Sequence, residues 1–158
     1  RIIKDSRTAN IPIVFFLDSG GARLNQGFRA LGAFREMYRE LLKTRLQGVP
    51  MISVILRNCF GGASMIAATC SYRISSAHSR YGMSGPKLIF GHDLLIKDTQ
   101  RGGNLISDNF GGKARFKMGA FDDLCEDNPV AYKILLESFL GTHYQFDIDL
   151  KALKLKHR

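Results

Sequence analysis

The sequence predicts an α/β domain, and three observations carry that prediction. Two short runs, Ile11 to Leu17 ("IPIVFFL") and Met51 to Leu56 ("MISVIL"), are apolar throughout and of strand length. Each is followed by a glycine pair, Gly20–Gly21 and Gly61–Gly62, that leads into a helix-like segment. Between them apolar residues recur at three- and four-residue steps, the period of an amphipathic helix.

The first strand stops at Asp18, Ser19, Gly20 and Gly21. A long helix is then predicted from Leu24 to Gln47. Leu24, Phe28, Leu31, Phe34, Tyr38, Leu41 and Leu42 form its buried stripe, and Arg29, Glu36, Arg39, Glu40 and Lys43 lie mostly off it. Gly48 and Pro50 close it. After the second strand, Gly61 and Gly62 open a short helix of small residues, Ala63 to Cys70. Tyr72 to Ser76 and Tyr81 to Met83 read as further strands. "SGPKLIFG" starts a helix, with Pro86 where a first-turn proline is tolerated. Lys97 to Lys113, rich in glycine and polar residues, reads as a mobile loop, and Arg115 to Cys125 as a last strand pair. The final helix is capped by Asn128, begins at Pro129 and stops at Gly141.

These elements make one domain over residues 1–158, with 142–158 a basic tail or the start of a linker carrying Lys151, Lys154, Lys156, His157 and Arg158. The chain begins at Arg1, not Met, and is expected to run directly into a strand-like segment, as a fragment of a longer chain would.

At 45% apolar and 23% charged residues the composition is that of a globular protein, not a disordered one. No apolar run approaches the roughly 20 residues that cross a bilayer, and the first is too short for a signal peptide. Cys59, Cys70 and Cys125 show no CxxC spacing, which argues against a disulfide framework and a zinc site and for small apolar residues in a reducing cytoplasm. The net charge of +9 favours an anionic partner. With no nucleic-acid-binding signature present, phosphorylated cofactors and acidic proteins are the expected partners, and neither nucleic acid nor membrane.

The chemistry lies at the glycine turns, "LDSGGAR" and "CFGGASM". A glycine pair lets the backbone approach a ligand, and a helix start adds unpaired N–H groups with partial positive charge. Two such turns can aim two donors at one oxygen, as stabilising a thioester enolate requires. Tight turns for close helix packing, or a phosphate-binding loop, are alternative readings, although neither turn matches GxxxxGK[ST] or GxGxxG. There is no GxSxG elbow, and His78, His92, His143 and His157 show no paired spacing with an acid or nucleophile. Cys59 reads as packing, and Asp122, Asp123, Glu126 and Asp127 as a solvated edge. Catalysis would therefore rest on backbone donors, with no metal.

At this point the sequence becomes recognisable. "LDSGGARLNQG", then "GVPMISVILRNCFGGASMIAATCSYRIS", then "YGMSGPKLI" resemble the carboxyltransferase subunits of acyl-CoA carboxylases. With "FGGKARFKMGAFDDLCEDNPVAY" the chain is more similar still to the β subunits of biotin-independent malonate decarboxylases. The resemblance spans about Ile11 to Leu140. It implies a crotonase (ClpP-like) fold, a spiral of repeated β-β-α turns, incomplete here at the N-terminus. It also implies oxyanion donors at the N–H of Ala22 (Gly21 being the near alternative) and of Gly62, with Gly61 allowing close approach. Gly20, Arg23, Ala63, Gly85 and Pro86 would shape the substrate pocket. Asn25 and Gln26 stand where relatives favour a Gln-Glu pair, and Lys87 and Phe90 where they favour acidic residues.

The implied activity is decarboxylation of malonyl-acyl carrier protein to acetyl-acyl carrier protein. The substrate would ride on a phosphopantetheine-type thioester of carrier protein or CoA, with no covalently bound cofactor. A γ-type carboxyltransferase subunit would be the partner. The alternatives are a carboxyltransferase subunit of a biotin-dependent acyl-CoA carboxylase and an inactive crotonase-fold assembly subunit.

Overall fold

The computed structural model describes residues 1–22 and 27–143. The chain divides into two compact units, Arg1–Asp127 and Asn128–Arg158.

The first unit opens with helix α1 (Ile2–Ala9), not with the strand-like start that the sequence predicts. "RIIKDSRTAN" has only a short apolar edge, and tertiary contacts supply the rest. Ile3 packs on the core, and Arg7 meets Glu40 at 2.8 Å. Strand β1 (Ile13–Ser19) lies parallel to β2 (Met51–Phe60), Ile13 opposite Met51 and Leu17 opposite Ile55. On its other edge β2 pairs with β3 (Tyr72–Ser76), which pairs with β5 (Asp123–Cys125), so the order is β1-β2-β3-β5, all parallel. Met51, Ile52, Val54 and Ile55 are fully buried, because β2 is central.

β2 then changes partner. Between Leu17↔Ile55 and Ser19↔Cys59, β1 advances two residues and β2 four. Beyond this irregularity β2 pairs with β4 (Arg80–Gly82), Asn58 opposite Arg80 and Phe60 opposite Gly82. Asp18 holds the corner, since its carboxylate accepts from Arg57 Nε at 2.9 Å and from the Asn58 N–H at 3.1 Å. A bulge of this kind re-aims the chain beyond it, here the second glycine turn.

Helix α2 (Gly27–Leu46) packs against α1 and against α3 (Gly62–Thr69). Its predicted stripe is only partly buried. Leu41 is fully buried, whereas Phe28 is 91% and Leu31 64% exposed, because the N-terminal half of α2 borders an open cleft instead of the core. Glu40, expected off the stripe, is buried on α1. Hydrogen bonds from Arg7, then Lys43, hold its carboxyl below the usual carboxylate range.

The helix expected from "SGPKLIFG" is α4 (Pro86–Phe90), but most of the stretch expected as a loop over Lys97 to Lys113 is helical too, in the end of α5 (His92–Gln100), in α6 (Leu105–Phe110) and in the start of α7 (Gly112–Lys117). Glycines that read as loosening serve close approach instead. A Cβ on Gly112 would come within 2.2 Å of the Ser76 carbonyl oxygen, and the Gly112 N–H donates to Ser79 O at 2.8 Å. The predicted strand pair over Arg115 to Cys125 is likewise the end of α7 and the single strand β5. Two of the acidic residues read as a solvated edge tie β5 to β3. Asp122 takes the Arg73 guanidinium at 3.0 and 3.1 Å, and Asp123 accepts from the Tyr72 hydroxyl.

In the second unit α8 spans Pro129–His143. Asn128 caps it, its Oδ1 accepting from the Ala131 N–H at 2.8 Å. The helix does not stop at Gly141, since one interior glycine costs only about 1 kcal/mol. The predicted basic tail is outside the described residues apart from 142 and 143. No described helix is long and apolar enough to cross a membrane.

Candidate functional site

The parallel pairing of β1 with β2 delivers both glycine turns to the same end of the sheet. There the backbones nearly touch, for a Cβ built on Gly61 would lie 3.6 Å from the Gly21 Cα. Gly61 has φ 62° and ψ −130°, a conformation that side-chain-bearing residues rarely adopt. It is the N-cap residue of α3.

The hydrogen bonds sort the four glycine-turn amides into two kinds. In the first turn the Gly21 N–H donates to Ser19 Oγ at 3.2 Å. In the second the Gly61 N–H donates to Met83 O at 3.0 Å. The next amide in each turn, Ala22 or Gly62, has no acceptor among the described residues. Gly62 and Ala63 occupy the first positions of α3, where helix geometry provides no partner. Ser64 N–H and Oγ both turn back on the Gly61 carbonyl, at 3.1 and 2.7 Å, and fix the turn. Ala22 and Gly62 line one cleft of about 520 Å³, whose other walls include Phe28, Leu31, Phe34 and Met65.

The remaining predicted residues distribute around this point. Gly20 lies on the exposed first turn, and the Ala63 side chain packs into the core beside Ile55, Cys59 and Ala67. Gly85 and Pro86 start α4, two and three residues beyond the Met83 carbonyl that anchors Gly61. Arg23 lies outside the described residues, as do Leu24, Asn25 and Gln26. Sequence reasoning missed the supporting groups: Asp18 at the bulge, Ser19 and Met83 as acceptors, and Phe34. The Phe34 ring sits so close that a Cβ on Gly62 would meet Cε2 at 2.7 Å, so Gly62 also answers to packing. An Asp one residue before Ser-Gly-Gly was the available signal for the bulge clamp.

Side-chain nucleophiles are poorly supported near the turns. Cys59 is fully buried, and burial first, then the charges of Cys70 and Asp18, pushes its thiol up to about 12. Cys70 is likewise pushed up to about 12 by burial. His78 and His92 are exposed and do not line the cleft.

This arrangement, a parallel sheet whose central strand turns a corner into two glycine turns, is that of a crotonase-fold domain, and solved carboxyltransferase structures share it. Transcarboxylase 12S, solved with methylmalonyl-coenzyme A and methylmalonic acid bound, superposes with TM-score 0.70 at 26% identity over 87% of this chain and 26% of its own. A Pseudomonas malonate decarboxylase hetero-tetramer in complex with malonate superposes with TM-score 0.75 at 25% identity, covering 89% of this chain and 51% of that one. The propionyl-CoA carboxylase beta chain of Saccharopolyspora erythraea is 34% identical over 137 residues, 84% of this chain and 23% of its own length. The chain thus spans about a quarter of that curated relative. Residues 1–111 match the carboxyl transferase domain, and the chain belongs to that family.

Proposed function

We propose that this chain is part of a malonyl-thioester decarboxylase subunit, and that Ala22 and Gly62 are its oxyanion donors. The observation that carries the reading is the pair of unspent amides on adjacent turns, bordering one cleft. In the reaction the bond between Cα and the carboxylate breaks and carbon dioxide leaves. The electron pair delocalises onto the thioester oxygen, where the two N–H groups stabilise it. Protonation at Cα then gives the acetyl thioester. The acyl group rides on the phosphopantetheine arm of an acyl carrier protein, whose acidic surface suits a chain of net charge +9. A γ-type carboxyltransferase subunit is the proposed partner. The likeness to the malonate decarboxylase hetero-tetramer supports both the chemistry and the pairing.

A second reading, carboxyl transfer to or from biotin through the same enolate, is favoured by the 34% identity to a propionyl-CoA carboxylase beta chain. The test is carbon dioxide release from malonyl-carrier protein by the full-length protein with its co-purifying subunits, with and without biotin. Carbon dioxide release that needs no biotin supports decarboxylation, whereas acetyl thioester formed only with biotin present, its carboxyl group recovered on biotin and not as carbon dioxide, supports transfer. No turnover with every partner present supports a silent assembly subunit, the reading that Lys87 and Phe90 favour.

A further inference from the structure

Among the described residues three arginines are less than fully exposed: Arg7, Arg73 and Arg115. Two have the partner that a half-buried cation requires. Arg7 pairs with Glu40 at 2.8 Å, and Arg73 with Asp122 through two bonds. Arg115, on α7, has no carboxylate partner among the described residues. Its guanidinium carbon lies 5.6 Å from the centroid of the Phe110 ring, and its Nε is buried without an acceptor. Phe110, itself buried, is fixed by edge-on contacts to Phe60 and Phe90. The cation is thus held on a rigid aromatic platform, with no anion of the described chain to neutralise it.

Arg115 lines a second cleft, of about 650 Å³, together with Met65, Tyr81, Met83, Phe90 and Phe110. This cleft adjoins the glycine turns in two ways. Met65 lines both clefts, and Met83, whose carbonyl anchors Gly61, forms part of the second wall. A guanidinium presents a planar fork that fits the two oxygens of a carboxylate, and apolar walls strengthen such a bond by excluding water.

We propose that Arg115 binds the free carboxylate of a short dicarboxylic acyl group, so that this cleft is the acid-recognising end of the site. The proposal rests on the thioester reading above and adds which residue selects a malonyl-type over a plain acyl substrate. It has a kinetic consequence. The carboxylate charge disappears as carbon dioxide forms, so the Arg115 contact stabilises bound substrate more than the transition state. Arg115 is then a substrate-binding residue whose removal raises KM and leaves kcat unchanged or higher, never lower.

The experiment uses the full-length protein with its co-purifying subunits, as wild type, Arg115→Gln and Arg115→Lys, each checked by melting. Calorimetry measures binding of free malonate and acetate, and of malonyl and acetyl thioesters of N-acetylcysteamine. In Arg115→Gln, malonate and malonyl thioester binding should weaken roughly 10- to 100-fold, as expected for loss of a charged hydrogen bond. Acetyl thioester binding should be unchanged, kcat on malonyl thioester unchanged or higher, and Arg115→Lys intermediate. Equal malonate affinity in wild type and Arg115→Gln overturns the proposal, as does an equal loss of malonyl and acetyl binding with a fall in kcat. A wild type that binds acetyl thioester but not malonate also overturns it. Malonate binding through Arg115 with no affinity for either thioester would leave the carboxylate site standing and remove the thioester reading instead.

Discussion

Gly62 offers the sharpest separation of packing from catalysis. It has no positive φ and stands first in α3, so proline fits its backbone while deleting the N–H. Any Cβ there, however, meets Phe34 Cε2 at 2.7 Å. Gly62→Pro alone would therefore confound a lost donor with a displaced ring. Gly62→Ala introduces the same clash and keeps the amide. Overpacking of this kind costs roughly 1–3 kcal/mol of stability, and both variants should show it in thermal melts. Only Gly62→Pro loses the donor, which contributes about 2.7–4 kcal/mol to the transition state, or roughly 10²–10³ in turnover. The assay is carbon dioxide release from a malonyl thioester under conditions where both variants are folded by circular dichroism. Gly62→Ala should fall several-fold and Gly62→Pro a further two to three orders of magnitude. Equal turnover in the two folded variants would refute the donor assignment.

Three further outcomes are expected from the same geometry. Asp18→Ala removes the acceptor of the Arg57 and Asn58 bonds at the bulge, so it should lower stability by about 1 kcal/mol and reduce turnover, with Asp18→Asn milder. Unchanged melting and turnover in Asp18→Ala would show that the bulge holds without the clamp. Cys59 and Cys70, both pushed up to about 12, should resist iodoacetamide at pH 8 in the native protein and react once it is unfolded, as read by mass spectrometry; Cys59→Ala should keep turnover within a few-fold. Glu40 has its carboxyl lowered from an ordinary 4.5, so its contribution is present above that value and is lost as pH falls through the depressed folded value. The melting difference between wild type and Glu40→Gln should therefore be largest near neutrality and shrink in acid.

The parts of the fold legible in the sequence were those set by local chemistry. Apolar β2, the small-residue helix α3, Pro86 at the start of α4 and the Asn128 cap arise from periodicity and from residues with strong positional preferences. What the sequence hid depends on partners distant along the chain. Helix α1 is held through Arg7 to Glu40, 33 residues away. Gly111 and Gly112 looked like loop residues because their neighbours, Ser107, Ser76 and Ser79, could not be read from spacing. The apolar stripe of α2 had the right period, but period alone does not say which turns reach the core, and Phe28 and Leu31 do not. At the site, the glycine pairs were visible as motifs, and their adjacency is a consequence of β1 and β2 being parallel neighbours. The division of the amides into spent and unspent was not visible, because it turns on Ser19 Oγ and on the Met83 carbonyl.

The central claim is that two backbone amides polarise one thioester oxygen. Isotope-edited infrared spectroscopy of a bound acetyl thioester, labelled with ¹³C at its carbonyl, tests this without requiring turnover. The carbonyl stretch should move to lower frequency than in water in the wild type and in Gly62→Ala, and should move back in folded Gly62→Pro. A bound thioester whose stretch matches that in water in the wild type, or is equally lowered in all three, would contradict the account.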